Sequence, residues 1–471
     1  MKAKPNPSPG RRRWDLPTGT QRKRFSELSS AEQFVLSFVM LIVLGTLGFK
    51  VLPNLYQADS LSITDALFTA TSAICVTGLI VVDTETYFTF WGQAYILLLI
   101  QLGGVGVLTF ASLIITALGG RPSLRAEQAI SGSQHSIADV PAKKMIIDIL
   151  KFTFVCEASG ALVLFLLWGP NMGWSKAIWP AIFHSVSAFC NAGFSTNSMS
   201  LMPHSHSAAT LMTISALIVL GGIGFVVMEE LSAYFSAGSK RINRISTHTK
   251  LVLIGTAFLI LAPVIAFAVF EWDKTLAEHS WGDKIANAIF LSVTPRTAGF
   301  NAIDYGQATD STNFLTILLM TIGGSPGSTA GGMKTTVFML LTLMAWSRIR
   351  GKHGVIIFDR SIPQNTIQQA MGLFVVMLAL SIIGVLMLQA TDDPLSQDHK
   401  ILHRAFEVSS AINTVGLSMG ITAALSVPAK WVLVLLMFIG RVGPLALSSA
   451  VDSRLAEREH YRLAQEDVII G

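Results

Sequence analysis

The sequence predicts an all-α integral membrane protein: four tandem copies of one helix–re-entrant helix–helix unit, in pseudo-fourfold arrangement about a common axis. Three observations carry that prediction. The composition is too apolar for a soluble chain, with 51% hydrophobic and 13% charged residues and a mean hydropathy of +0.55. Apolar runs long enough to cross a hydrocarbon core of ~30 Å recur along the chain. Four short stretches are variants of one motif, each with a glycine before Leu or Phe, and they recur roughly every 110 residues.

The predicted spans fall at about residues 31–53, 91–118, 146–169, 208–235, 247–270, 311–349, 364–391 and 428–451, two per unit. They divide the chain into units at 31–120, 121–236, 237–350 and 351–455. A basic tail (1–30) and a C-terminal tail (456–471) flank them. The first tail combines Pro, Gly and basic residues with no apolar core before Phe34, which reads as a disordered cytoplasmic segment and not as a cleaved signal peptide. Between the two spans of each unit lies a shorter, less apolar segment that ends at the motif. It is too short to span, so it is expected to re-enter the membrane as a pore helix, with its irregular end buried in protein.

The motif endings are Val76-Thr77-Gly78-Leu79, Asn191-Ala192-Gly193-Phe194, Thr297-Ala298-Gly299-Phe300 and Thr414-Val415-Gly416-Leu417. Glycine lets a chain turn its carbonyls inward without a Cβ penalty. Four such turns around an axis line a single cation-selective pore. The expected ion-binding filter is Val76, Thr77, Gly78, Asn191, Ala192, Gly193, Thr297, Ala298, Gly299, Thr414, Val415 and Gly416.

A second glycine cluster follows each motif roughly 25 residues on, as Gly103-Gly104-Val105-Gly106, Gly221-Gly222-Ile223-Gly224, Gly323-Gly324-Ser325-Pro326-Gly327 and Gly440-Arg441-Val442-Gly443. The third copy continues through Ser328, Thr329, Ala330, Gly331, Gly332, Met333 and Lys334, which no regular helix accommodates in mid-span. This span alone is expected to be broken, its loop lying in the cavity below the pore. Arg441 replaces a glycine of the first two copies and is expected to donate hydrogen bonds to carbonyls of that loop, holding it across the path as a gate. The expected gate is Gly323 to Gly332 with Lys334 and Arg441. Arg296 is expected to point away from the filter, with Glu407 on the next unit's pore helix as its counter-charge.

Lysine and arginine concentrate on one set of alternate loops, including Arg11, Arg12, Arg13, Arg22, Lys23, Arg24, Lys143, Lys144, Lys240, Arg241, Arg244, Arg348, Arg350 and Lys352. Both termini are therefore expected in the cytoplasm. The net charge of +5 then reports topology and not nucleic-acid binding. The opposite loops carry Asp59, Asp83, Glu85, Glu271, Asp273, Asp304, Asp310, Asp392, Asp393 and Asp398, a mouth that concentrates cations or an ordinary solvated surface. Cys75, Cys156 and Cys190 have no metal-ligand spacing and read as small packing residues.

Gly323-Gly324-Ser325-Pro326-Gly327 matches the G-x-S-x-G pattern of serine hydrolases, but it lacks the required strand, and only His184 among the histidines is expected within the membrane region. Met333 between Gly332 and Lys334 spoils a phosphate-binding loop. A coupled secondary transporter is expected to carry mid-membrane carboxylates, whereas Glu157, Glu229 and Glu230 are read as lying near cytoplasmic ends.

Together these motifs resemble the Trk/Ktr/HKT superfamily of potassium transporters from about residue 31 onward, and the KtrB branch more than the TrkH branch, which has extra leading helices. The resemblance implies a homodimer with one pore per chain, docked on a cytosolic, nucleotide-binding, KtrA-like regulatory ring in the bacterial plasma (inner) membrane. It also implies potassium as the transported ion, since glycine at all four filter positions accompanies potassium selectivity. Sodium enters as a candidate activator, or as the cargo of an alternative sodium-coupled or sodium-conducting transporter.

Overall fold

The computed structural model describes residues 30–104, 142–236, 245–351, 354–358, 360–391 and 401–443. The basic residues from Arg11 to Arg24, the C-terminal tail, residues 105–118 of the second expected span with Gly106, Lys240, Arg241, Arg244, Lys352, Asp392, Asp393, Asp398 and everything after Gly443 lie outside the described residues.

The first unit contains α1 (Ser30–Val51), α2 (Ile63–Ile74), the short α3 (Thr84–Tyr87) and α4 (Phe90–Gly104). The second contains α5 (Ala142–Met172), α6 (Trp174–Phe189), α7 (Ala208–Ile223) and α8 (Phe225–Ser236). The third contains α9 (Thr247–Glu271), α10 (Trp281–Val293), α11 (Asp310–Met320) and α12 (Thr335–Ile349). A two-residue antiparallel pair, β1 (Ile356–Ile357) with β2 (Arg360–Ser361), precedes α13 (Gln364–Thr391), α14 (Ile401–Ile412) and α15 (Val427–Val442).

The opening helix of every unit is long and apolar enough to cross a membrane: Glu32–Val51, Ile146–Met172, Thr247–Glu271 and Gln364–Thr391. Their outer faces leave Leu44, Val155, Leu261, Ile265 and Leu386 exposed, as helices against lipid require. The re-entrant helices start outside with explicit stops. Ser62 Oγ accepts from Asp65 N and donates to the Asp65 carboxylate, and Ser280 and Asp283 repeat this on α10, so two orphan N-terminal groups are satisfied locally. Their C-terminal halves are buried, from Phe68 to Ile74 on α2 and from Phe406 to Ile412 on α14.

Neighbouring units interlock in one rotational sense. The second helix of each unit packs on the re-entrant helix of the next: α4 on α6, α7 on α10, α11 on α14, and α15 back on α2. The four units therefore close into a ring. The glycine clusters allow the close approaches within each unit. A Cβ on Gly103, Gly221 or Gly440 would overlap the carbonyl oxygen of Ile74, Phe189 or Ile412, in each case the last residue of that unit's re-entrant helix.

The third unit's second span is interrupted between Met320 and Thr335, but it is not the only one. In the second unit α7 and α8 meet at 97° across Gly224, whose φ is +97°. In the fourth, Gly443, the cap of α15 and the last described residue, has φ +85°. The expectation of a single broken span is corrected. Gly224 and Gly443 close their clusters at matching positions and take the same left-handed turn, which an L residue avoids.

Candidate permeation site

Each re-entrant helix ends in a turn of alternating hand. Two residues before the motif glycine, Val76, Asn191, Thr297 and Thr414 have φ of 55°, 59°, 66° and 49°. The glycines themselves have φ of 93° at Gly78, 70° at Gly193, 79° at Gly299 and 96° at Gly416. Left-handed backbone at a valine and two threonines is a genuine outlier and stores about 1–3 kcal/mol at each. Four equivalent violations at one level of the molecule mark a site where the surroundings impose the conformation.

The four turns touch in a closed cycle. A Cβ on Gly78 would overlap Ala192 O, one on Gly193 would crowd Ala298 O, one on Gly299 would overlap Val415 O, and one on Gly416 would overlap Thr77 O. The backbone thus forms a ring one residue thick, where every glycine makes room for the carbonyl of the next unit. The expected filter residues Val76 to Gly78, Asn191 to Gly193, Thr297 to Gly299 and Thr414 to Gly416 are all brought together here. Above them opens a cavity of about 450 Å³, floored by the four glycines. Of the expected acidic mouth, Asp83 and Asp304 line this cavity. Asp83 and Glu85 together hold Ser198 of the second unit. Glu271 is buried and accepts from Thr275 and Thr309, which makes it structural.

Hydroxyls brace these turns, a role that reading the motifs for glycine alone overlooks. Ser72 Oγ donates to Leu79 O at 2.7 Å, Ser187 Oγ to Phe194 O at 2.8 Å, and Thr294 Oγ1 to Phe300 O at 2.7 Å. In the fourth unit Ser410 Oγ accepts from Gly416 N at 2.9 Å. The signal was present in the sequence as a Ser or Thr at nearly constant offset before each glycine. Thr294→Val keeps the shape and leaves Phe300 O unpaired, at a cost of about 1–3 kcal/mol. We expect it to lower the melting temperature and to narrow the rubidium-to-sodium uptake ratio in liposomes.

The interrupted span fills the space on the other side of the ring. Ser325 N donates to Gly222 O at 2.9 Å, and Thr329 Oγ1 lies 3.1 Å from Phe189 O and 3.0 Å from Gly221 O. Phe225 N donates to Gly327 O at 3.0 Å, so the bend at Gly224 and the loop support each other. A Cβ on Gly331 would overlap Thr414 Oγ1, and Gly324 adjoins Gly222 O. Lys334 Nζ donates to the loop's own Ala330 O at 2.8 Å. Arg441 reaches both neighbouring units, donating to Thr329 O at 2.6 Å and to Gly103 O at 2.7 Å. The guanidinium therefore joins the first, third and fourth units beneath the ring.

Three sequence readings are corrected. Arg296 and Glu407 do not pair: Nη2 of Arg296 reaches Thr335 Oγ1 at 3.4 Å, while the Glu407 carboxylate accepts from Ser418 Oγ, Met419 N and Thr422 Oγ1. The chain just beyond the fourth turn satisfies that carboxylate locally, so no counter-charge is needed from the third unit. Glu157 lies in the middle of α5, buried, accepting from Gln101 Nε2 at 3.2 Å, and not near a cytoplasmic end. One such carboxylate is not a relay chain. His403 joins His184 on a re-entrant helix, and His248 stands in the first turn of α9.

The model of the TrkH family of cation transport proteins matches residues 20–461. The chain is 37% identical over 454 residues to the potassium/sodium uptake protein NtpJ of Enterococcus hirae, covering 96% of this chain and 98% of the relative. It is 37% identical over 442 residues to the Ktr system potassium uptake protein B of Bacillus subtilis, covering 93% and 95%. Its fold superposes on the crystal structure of the potassium transporter TrkH from Vibrio parahaemolyticus with a TM-score of 0.70 and 24% identity, covering 90% of this chain and 85% of that one. A membrane transport protein and not an enzyme, the chain belongs to the TrkH family of cation transport proteins.

Proposed function

We propose that this protein takes up potassium across the bacterial plasma membrane through a channel-like pore along the axis of its four units. The observation that carries the reading is the closed cycle in which each motif glycine adjoins the next unit's carbonyl. Carbonyls in such a ring replace the hydration shell of a cation, and the ends of four re-entrant helices add partial negative charge beneath it. An inside-negative potential supplies about 2.3 kcal/mol per charge per 100 mV. Uptake then needs no chemical step.

In this reading Gly323 to Gly332, Lys334 and Arg441 form the gate, and the repeat boundaries are those set by the four units. The names of the Ktr relatives support a Ktr-type assembly: a homodimer regulated by a KtrA-like cytosolic ring, with both termini on the cytoplasmic side. A second reading, sodium as co-conducted ion or as activator, is favoured by the potassium/sodium name of the Enterococcus hirae relative.

The test is flux into liposomes holding the purified chain under an imposed inside-negative potential, comparing potassium, rubidium, sodium and lithium for wild type and Gly78→Ser. Potassium preference that relaxes in the serine variant is the expected result. Equal flux of all four ions in the wild type would remove potassium selectivity. Sodium-dependent potassium flux would favour the second reading.

A further inference from the structure

Where α12 ends, on the side of the ring away from the cavity, the β1–β2 hairpin folds back onto the helices. Val355 and Ile357 face inward and join Leu251, Leu340 and Ile367 in one apolar cluster. Leu340 precedes the end of α12 by about 13 Å, so the hairpin lies beside the last turns of that span and does not hang below it. Ser347 Oγ fixes the fold-back by donating to Gly354 O at 2.7 Å, and Ile362 N closes the hairpin on Val355 O at 3.0 Å.

Strand alternation turns Ile356 and Phe358 outward, 63% and 45% exposed, and the end of α12 adds Trp346 and Ile349, 53% and 78% exposed. Phe358 stands at a φ of +48°, a turn conformation that Gly or Asn takes more easily than a bulky side chain. Lys250, Arg348, Arg350 and Arg360 are exposed on the same elements. Lys250 Nζ lies 5.4 Å over the Phe358 ring and Arg350 Cζ 4.7 Å over the Trp346 ring, so cations and aromatic faces share one surface. Among the described residues none of these four cations is held by a carboxylate. Glu230, which reaches the start of α9, is taken up by Ser246 and Thr249.

We infer that this face binds an anionic phospholipid of the phosphatidylglycerol class, with Ile356, Phe358 and Trp346 at the boundary of headgroup and acyl chain and with Lys250, Arg350 and Arg360 on the phosphate. Aromatic side chains with an apolar body collect at that boundary, and exposed apolar residues on a face held level with the end of a span are covered there by acyl chains. The guanidinium fork matches a phosphate. A zwitterionic headgroup brings its own ammonium and offsets the attraction, so the four cations select lipids of net negative charge. The site is independent of the carbonyl ring and stands whatever ion the ring conducts.

The test is thermal melting of the purified full-length chain in detergent, with phosphatidylglycerol, phosphatidylcholine or inorganic phosphate added, for wild type, Lys250→Gln/Arg360→Gln and Ile356→Ser/Phe358→Ser. All four side chains are exposed, so melting without lipid is expected to be unchanged. Phosphatidylglycerol is expected to raise the wild-type melting temperature where phosphatidylcholine and phosphate do not. Its apparent affinity, read from the dependence of that rise on the lipid's mole fraction in the micelle, is expected to fall roughly thirtyfold when the two cations are removed and to fall also in Ile356→Ser/Phe358→Ser. The same affinity in wild type and Lys250→Gln/Arg360→Gln would overturn the inference. So would an equal rise with inorganic phosphate, which marks a free-anion site, or a smaller oligomer in Ile356→Ser/Phe358→Ser, which marks a face covered by a second copy.

Discussion

Replacing Gly299 by alanine is expected to reduce cation uptake roughly a hundredfold or more, a barrier increase of about 2.7 kcal/mol. Two effects combine. The φ of +79° puts a Cβ against its own backbone at a cost of about 1–2 kcal/mol. The same Cβ would overlap Val415 O and meet the Cα atoms of Gly416 and Gly193. The second effect dominates, because its partners are backbone atoms and Val415 N is itself fixed to Ser410 O at 2.8 Å. The adjacent turn cannot retreat without distorting the ring. Gly282→Ala is the control, since nothing lies within 4 Å of a Cβ there, and it should leave uptake unchanged. Rubidium uptake by liposomes, with elution from a sizing column as the check on folding, separates the two. Wild-type uptake by Gly299→Ala would mean that the ring is not the path.

Arg441→Ala is expected to raise basal uptake roughly tenfold, the equivalent of about 1.4 kcal/mol of lost closure. The guanidinium makes two short hydrogen bonds, to Thr329 O and Gly103 O, each worth about 1.5–3 kcal/mol for a charged donor. The net effect is smaller than their sum because Ser325 N and Thr329 Oγ1 continue to tie the loop to the second unit. If Arg441 stands in the proposed gate, loss of its positive charge acts in the same direction. Arg441→Lys should fall between, since an ammonium lacks the planar fork that spans two carbonyls. Uptake and melting temperature both unchanged in Arg441→Ala would show that the contact holds nothing.

The parts of this architecture that were legible in the sequence are those where only one residue type fits. Glycine at Gly78, Gly193, Gly299 and Gly416 is demanded by left-handed backbone and by the next unit's carbonyl, so its recurrence exposed the fourfold repeat. The interruption from Gly323 to Lys334 was equally plain, because no helix absorbs that many glycines. The same reasoning failed at Gly224. One glycine after an apolar run is tolerated within a helix, and only the packing of Gly224 against Pro326 O shows why the span bends there.

Strain was invisible for a related reason. Valine and threonine do not advertise positive φ, so Val76, Thr297 and Thr414 were read as filter residues with no sign of their left-handed backbone. Pairing by charge misled in another way. Arg296 and Glu407 are the conspicuous opposite charges near the filter, yet Glu407 is satisfied within its own unit by Ser418, Met419 and Thr422. Spacing along a chain cannot reveal a partner that a hydroxyl has already supplied. The bracing Ser72, Ser187 and Thr294 were the opposite case, a repeated signal obscured by the commonness of Ser and Thr.

The most direct test of the central claim, that cations pass along the axis of the four turns, is anomalous diffraction from crystals grown in rubidium or thallium salts. The account predicts density on the axis between the carbonyl oxygens of Thr77, Ala192, Ala298 and Val415, weakened in Gly78→Ser. Anomalous density confined to other places, with none between those carbonyls, would contradict it.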